Sequence, residues 1–187
     1  LTSVTIPDSV TTIGISPFIN CRGLQEFKGK FTSNDGRVLV VDGKLVAFAP
    51  AGLTEYIIPD GVTEIDESVF LNCNNLNQVT MPNSVTSIGK LSFGSCALKE
   101  IKLSNNLSTI GDEAFLSCNS LSMIMLPNSL KNIGCSAFSF SGLTSISIPD
   151  SVTSLGDNLF EGCQELKSAV FGDGVTTIPN YAFFKCD

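Results

Sequence analysis

Residues 143–163 read LTSISIPDSVTSLGDNLFEGC, and this stretch decides the fold because the rest of the chain repeats it. It begins with a leucine and two alternating apolar residues, continues through Pro-Asp and a V-T-x-L-G segment, and ends with a phenylalanine and a cysteine. Self-similarity at a period of about 20–50 residues indicates a stacked repeat architecture. The 187 residues divide into eight such units, whose opening leucines are Leu1, Leu24, Leu53, Leu76, Leu98, Leu121, Leu143 and Leu166.

Each unit predicts the same short elements. The opening segment alternates apolar and polar residues, which predicts a short strand with its apolar side chains in the core. The Pro-Asp or Pro-Asn pair that usually follows fits a strand exit, because proline lacks an N–H donor and a short Asx side chain fixes the turn. The V-T-x-I stretch, as in residues 10–13, predicts a second short strand. The segment around the phenylalanine, such as residues 112–115, predicts a single helical or 3₁₀ turn.

The unit that opens at Leu24 departs from this pattern. Residues 31–50 read FTSNDGRVLVVDGKLVAFAP and replace its second half. An Asp-Gly pair between two β-rich runs, here Asp42-Gly43, favours a hairpin because glycine tolerates a positive φ. We therefore expect a β-hairpin insertion at residues 31–50 within one domain of residues 1–187.

A phenylalanine holds one position in seven of the eight units. If the units stack at the spacing of neighbouring strands, about 4.8 Å, the seven rings form a continuous column. Each buried ring contributes roughly 1.5–3 kcal/mol. The column is therefore expected to be core and not a ligand-binding strip. Its members are Phe18, Phe70, Phe93, Phe115, Phe138, Phe160 and Phe183.

Cysteines form a second column, which is broken where Ser141 takes the place of a cysteine. Their spacing of about one unit is unlike the close pairs of zinc sites. Stacked thiols could approach one another closely enough for disulfides. An odd number on a core-facing column favours small, buried, free thiols over disulfides or a metal site. The column comprises Cys21, Cys73, Cys96, Cys118, Cys163 and Cys186, and the seventh cysteine is Cys135.

Composition excludes several classes of function. A net charge of −7 disfavours a protein that tracks nucleic-acid phosphates. The absence of histidine removes every histidine-based triad, general base and metal ligand. No apolar run approaches the about 20 residues that cross a bilayer, so membrane insertion is not predicted. No glycine-rich phosphate loop is present, and acidic pairs such as Asp112-Glu113 fit the start of a turn. We therefore predict no cofactor, no metal site and no enzymatic activity.

The string PNSVTSIGKLSFGSC at residues 82–96, together with its copies, resembles the BspA-type leucine-rich repeat. The resemblance covers essentially the whole chain, with local departures at Ser104, Asp66, Pro179 and Ser141. It implies a right-handed leucine-rich-repeat solenoid with a parallel β-sheet on one face. It also implies a bacterial or protozoan protein that is secreted or displayed at the cell surface and takes part in adhesion to host matrix proteins or in cell–cell aggregation.

The sheet face is the expected binding surface, because a solenoid presents repeated positions side by side. Met123 and Met125 should both point outward from one strand, with Glu100 and Lys102 beside them on the preceding strand. An adaptable apolar pair with a charged rim suits protein recognition, although exposed apolar residues are also common without a function. Ile57 and Val170 are weaker, isolated candidates. The hairpin tip at residues 42–44 is either a further binding loop or a spacer.

The leading hypothesis is a non-enzymatic interaction or adhesion module of a secreted or cell-surface protein, which binds a protein or glycan. One alternative is a passive stalk that holds another domain away from the cell. Another is the targeting arm of a larger enzyme. Both ends of the sequence lack the polar cap that solenoid ends usually need, so we expect a piece of a longer protein.

Overall fold

The computed structural model describes residues 1–186 and consists of short strands and turns that coil into a solenoid. No helix is present among those residues. The strands are β1 Ser3–Ile6, β2 Glu26–Gly29, β3 Val38–Val41, β4 Lys44–Phe48, β5 Glu55–Ile57, β6 Glu64–Ile65, β7 Gln78–Thr80, β8 Ser87–Ile88, β9 Glu100–Lys102, β10 Thr109–Ile110, β11 Asn132–Ile133, β12 Ser145–Ile148, β13 Ser154–Leu155 and β14 Ser168–Phe171.

The opening segments of the units form the front face, where strands pair in parallel with a register of one unit. Val79 on β7, for example, lies opposite Ile101 on β9. The front face is divided into three parallel blocks, which are β1-β2, β5-β7-β9 and β12-β14. The hairpin insertion separates the first two blocks. The second break falls at residues 121–126, where no strand forms.

Five second strands and the two hairpin strands build a seven-stranded sheet in the order β13-β11-β10-β8-β6-β4-β3. The predicted hairpin is confirmed, because β3 and β4 pair antiparallel around Asp42-Gly43. Both turn residues have positive φ, 50° and 81°, as a two-residue type I′ hairpin turn requires. Strand β4 then pairs in parallel with β6, so the insertion extends the sheet. The second strand expected at residues 10–13 is absent.

The third face of the coil, which we call the turn face, corrects the expectation of a helical or 3₁₀ turn. In the unit that opens at Leu98, the N–H of Leu116 bonds to Glu113 and that of Cys118 bonds to Phe115 within the unit. Glu113 and Ser117 have φ values of 56° and 57°, which end any helix. The N–H groups of Glu113, Phe115 and Ser117 instead bond to carbonyls of the following unit. A helix would have used those donors internally.

The phenylalanine column runs through the interior from Phe70 to Phe160 as predicted, while its last ring, Phe183, is exposed. The position of Phe18 is corrected. From Phe70 to Phe183 the successive ring centroids lie 4.8 to 5.9 Å apart. Phe18 is not in this stack, since its ring contacts Phe27 at 5.1 Å. The hairpin supplies Phe48 instead, whose ring lies 4.7 Å from that of Phe70.

The cysteine column lies behind the rings, and four of its thiols donate to backbone carbonyls. The Sγ of Cys96 donates to the Phe70 carbonyl at 2.8 Å, and that of Cys118 donates to the Phe93 carbonyl at 3.1 Å. Burial raises the pKa of Cys96, and it raises the pKa of Cys118 to about 12. Cys135 lies outside the column and is exposed. No disulfide joins the cysteines from Cys21 to Cys163.

Candidate functional site

The front face breaks at residues 121–126, where Met123 and Met125 lie. The expectation of a strand there is wrong, because within the described chain no backbone hydrogen bond joins this segment to β9. On its other side, the N–H of Thr144 bonds to the Ser122 carbonyl at 3.0 Å. Leu121 and Ile124 still enter the core. Side chains in this segment still alternate between the core and solvent as in a strand, although the inter-strand hydrogen bonds to β9 are missing. Both methionines therefore point to solvent.

The two methionines are unusually exposed for apolar residues. The exposed fraction is 62% for Met123 and 79% for Met125. Glu100 and Lys102 flank them on β9 and are also exposed. The missing ladder leaves a groove of about 490 Å³ between β9 and residues 121–126. The structure therefore brings four of the six predicted site residues together around one groove.

The charged side chains that rim this groove form no ion pair with any other described residue. The salt bridges of residues 1–186 involve Glu26, Lys28, Lys44, Glu64 and Asp66 only. Lys99, Glu100 and Lys102, which line the groove, form none. Their charges are therefore available to a partner.

Ile57 and Val170 lie away from the groove. Ile57 is on β5 and Val170 on β14, in different blocks of the front face. Both are exposed, and neither lines the groove. They remain isolated apolar residues on the same face.

The hairpin tip is bound to the scaffold by ion pairs. The Nζ of Lys44 lies 3.3 Å from Oε2 of Glu64 and 3.7 Å from Oδ1 of Asp66. The carboxylates of Asp66 and Glu64 raise the pKa of Lys44 above its ordinary value. Its charge is paired at the surface with carboxylates of the adjacent unit, which favours the spacer interpretation of the tip.

A second concave site escaped the sequence analysis. A cavity of about 260 Å³ opens on the turn face between the first and third units, and its wall includes Phe18, Phe48, Leu71 and Cys73. It lies beside the unit that lacks the repeated phenylalanine and cysteine. That gap in both columns, visible in the sequence after Leu24, was the signal that could have located it.

Comparison with known sequences identifies the repeats. A family model described as the BspA type leucine rich repeat region matches residues 1–36, 44–167 and 133–187, in six copies. The chain belongs to this family. A comparison with curated protein sequences gave no match.

Solved structures of leucine-rich-repeat proteins share the fold of this BspA-type chain. A leucine rich cell surface protein from Faecalibacterium prausnitzii A2-165 is 29% identical, with a TM-score of 0.78 over 91% of this chain and 48% of that chain. A leucine rich repeat protein from T. pallidum is 31% identical, with a TM-score of 0.65 over 74% of this chain and 65% of that chain. The pneumococcal vaccine antigen PcpA, at 22% identity and a TM-score of 0.64, shows the fold alone. This BspA-type chain thus spans about half the length of the Faecalibacterium protein.

Across residues 1–186, the BspA-type chain contains no helix with the length and apolar character needed to span a membrane. The same residues hold no cluster of three or more cysteine, aspartate or glutamate side chains placed to share a metal ion.

Proposed function

We propose that this BspA-type chain is a non-enzymatic protein-interaction and adhesion module of a secreted or cell-surface protein, and that it binds a partner protein through its front face. Membership of the family supports a repeat scaffold for protein interaction. The similar Faecalibacterium protein is described as a cell surface protein, which supports the location.

The observation that carries the proposal is the groove at the break in the front face. The other front-face strands present mostly polar side chains, as Ser145 and Ser147 do on β12. The groove instead presents Met123 and Met125, whose flexible thioether side chains adapt to the shape of a partner. Interfaces commonly combine an apolar centre with a polar rim, and Glu100 and Lys102 supply that rim.

A binding screen against arrays of extracellular matrix proteins and of glycans tests the proposal. The intact chain is compared with the double variant Met123→Lys/Met125→Lys. The matched control is Ser145→Lys/Ser147→Lys, which adds the same charge at the equivalent positions of the next unit. Selective loss of binding to a protein by the methionine variant supports the groove.

Three other results would contradict this proposal. Equal binding by both double variants would remove the groove from the interface. Selective binding to glycans would assign the face to a different partner class. A chain that binds nothing on either array would favour the stalk or the targeting arm of a larger enzyme.

A further inference from the structure

The turn face carries a regular ladder of backbone hydrogen bonds between units. In the unit that opens at Leu53, Ser68 donates its N–H to Lys90, Phe70 to Ser92 and Asn72 to Gly94, at 2.8 to 2.9 Å. The same three-bond pattern recurs at every later step, the last bond joining the Gly162 N–H to the Phe184 carbonyl at 2.8 Å. Each regular unit thus donates to the unit that follows it.

The ladder is missing between the first and third units. The groups equivalent to its donors include the N–H groups of Phe18 and Asn20, and the equivalent acceptors include the carbonyls of Val69 and Leu71. Within residues 1–186 none of these four groups has a hydrogen-bond partner. All four residues line the cavity of about 260 Å³. One wall therefore presents unpaired donors and the other presents unpaired acceptors.

The gap arises because the second unit takes a short path. Leu45 on β4 lies opposite Ile65 on β6. The next opening leucine, Leu53, follows Leu45 by eight positions, whereas Leu76 follows Ile65 by eleven. The second unit is three residues too short to form the turn face, so the first and third units face each other across a slot with no coil between them.

Two side-chain hydrogen bonds hold the walls of this slot in place. The Oγ of Ser16 donates to the Glu67 carbonyl at 2.8 Å, and the Nδ2 of Asn72 donates to the Oδ1 of Asn20 at 2.9 Å. Each bond connects the first unit directly to the third. The slot is therefore a preformed feature of the scaffold.

We propose that this slot binds a short segment of a partner protein whose backbone completes the missing ladder. The segment's carbonyls accept from the N–H groups of Phe18 and Asn20, and its own N–H groups donate to Val69 and Leu71. An apolar side chain of the segment fills the space beside Phe18 and Phe48. This inference rests on the proposed function as an interaction module, but it uses a different face.

The physical reason for a peptide is the match in hydrogen-bonding groups. Unpaired backbone groups gain most from a ligand that offers donors and acceptors at the same spacing, which is how added strands bind exposed sheet edges. A cavity of about 260 Å³ is smaller than the usual drug-sized pocket and suits the narrow backbone of a short extended segment. Arg22, which also lines the cavity, forms no ion pair within residues 1–186 and favours an acidic neighbour in the segment.

Amide hydrogen exchange tests the slot in the intact chain. The probe is the peptide acetyl-Asp-Glu-Ala-Phe-Leu-Ser-Ser-amide, which copies residues 112–118 with serine in place of the cysteine. In the free protein the amides of Phe18 and Asn20 should exchange much faster than that of Phe70. Saturating peptide should slow both at least tenfold. The same peptide N-methylated at its phenylalanine lacks the donor for the Val69 carbonyl and should bind at least tenfold more weakly.

Thiol labelling gives an independent measurement, because Cys21 lines the slot and is partly exposed. The peptide should slow labelling of Cys21 at least tenfold and leave that of exposed Cys135 unchanged. The variant Met123→Lys/Met125→Lys should bind the peptide as the unmodified chain does, so failure of the front-face proposal is separable from failure of this one.

Two results would overturn the inference. One is protection of the Phe18 and Asn20 amides in the free protein to the level of Phe70. The other is unchanged exchange and unchanged labelling of Cys21 at millimolar peptide, which would mean that the slot holds water only.

Discussion

Phe48, from the hairpin, packs against Phe70, the first ring of the stacked column, at 4.7 Å between ring centroids and an angle of 51° between ring planes. The next pair, Phe70 and Phe93, lies at nearly the same distance, 4.8 Å, but with an angle of 5°. The insertion thus covers the end of the regular column with a tilted ring. A side chain from an irregular segment completes the core that the second unit leaves open.

Removal of a ring from the middle of the column should be costly. Phe115 is fully buried between Phe93 and Phe138. Phe115→Ala should lower the free energy of unfolding by about 3–5 kcal/mol, because the lost transfer energy adds to the cost of a cavity. Phe18→Ala removes a ring outside the stack and should cost clearly less. Urea denaturation compares the two, and a loss below about 1 kcal/mol for Phe115→Ala would contradict the column.

The glycine that ends a second strand should be needed for close approach of the units. A Cβ on Gly156 would overlap the backbone nitrogen of Cys135, whereas one on Gly14 meets nothing within 4 Å. Gly156→Ala should destabilise the fold by about 1–3 kcal/mol or more, since the overlapping atoms belong to the backbone. Thermal and urea unfolding should show little change for Gly14→Ala. Equal effects of the two substitutions would argue against tight packing of the units at Gly156.

Thiol reactivity should distinguish the cysteine column from the exposed thiol. Cys135 is exposed, whereas Cys96 and Cys118 are buried with raised pKa values. Because the thiolate is the reactive form, iodoacetamide at pH 8 should modify Cys135 quickly and the two buried thiols only after unfolding. Mass spectrometry of native and denatured samples measures this. Rapid modification of Cys118 in the native chain would place it outside the core.

The buried thiols should make the fold sensitive to alkali. Burial raises the pKa of Cys118 from 9.0, the value in the unfolded chain, to about 12 in the folded chain. Above the first value the unfolded chain loses its proton and the folded chain does not, so stability is complete below pH 9.0 and falls as the pH rises. At pH 10.5 the loss from this group should be roughly 2 kcal/mol.

Urea denaturation at pH 8 and pH 10.5 measures this dependence. Cys118→Ala removes the titrating group, so the difference in unfolding free energy between the two pH values should shrink. An unchanged difference in the variant would show that other groups cause the alkaline loss.

Much of the fold could be predicted from the sequence because the relevant forces repeat with the units. The apolar pattern placed Ile101 and Ile146 in the core, and Asp42-Gly43 placed the hairpin. The turn face could not be predicted in the same way. Glu113 adopts a positive φ because its N–H bonds to the Cys135 carbonyl, in the following unit, and no local preference encodes a bond to a residue so distant in the chain.

The candidate site was predictable only in part. The alternation around Met123 and Met125 showed which way these side chains point, since burial of Ile124 fixes it. The groove beneath them depends on hydrogen bonds that do not form between residues 121–126 and β9. The slot beside Phe18 depends on a path three residues shorter than its neighbours. Both are properties of how adjacent units fit together, and a single unit does not contain them.

The ladder on the turn face gives the solenoid a direction, since every regular unit offers N–H groups forward and carbonyls backward. On the face of the second strands the Thr86 N–H bonds back to the Thr63 carbonyl at 2.8 Å, whereas the front face has bonds in both directions. Any full unit therefore presents the same complementary surfaces to its neighbours. Such a scaffold can change its length only in whole periods. An incomplete turn leaves backbone N–H and carbonyl groups unpaired, and another molecule must then satisfy them.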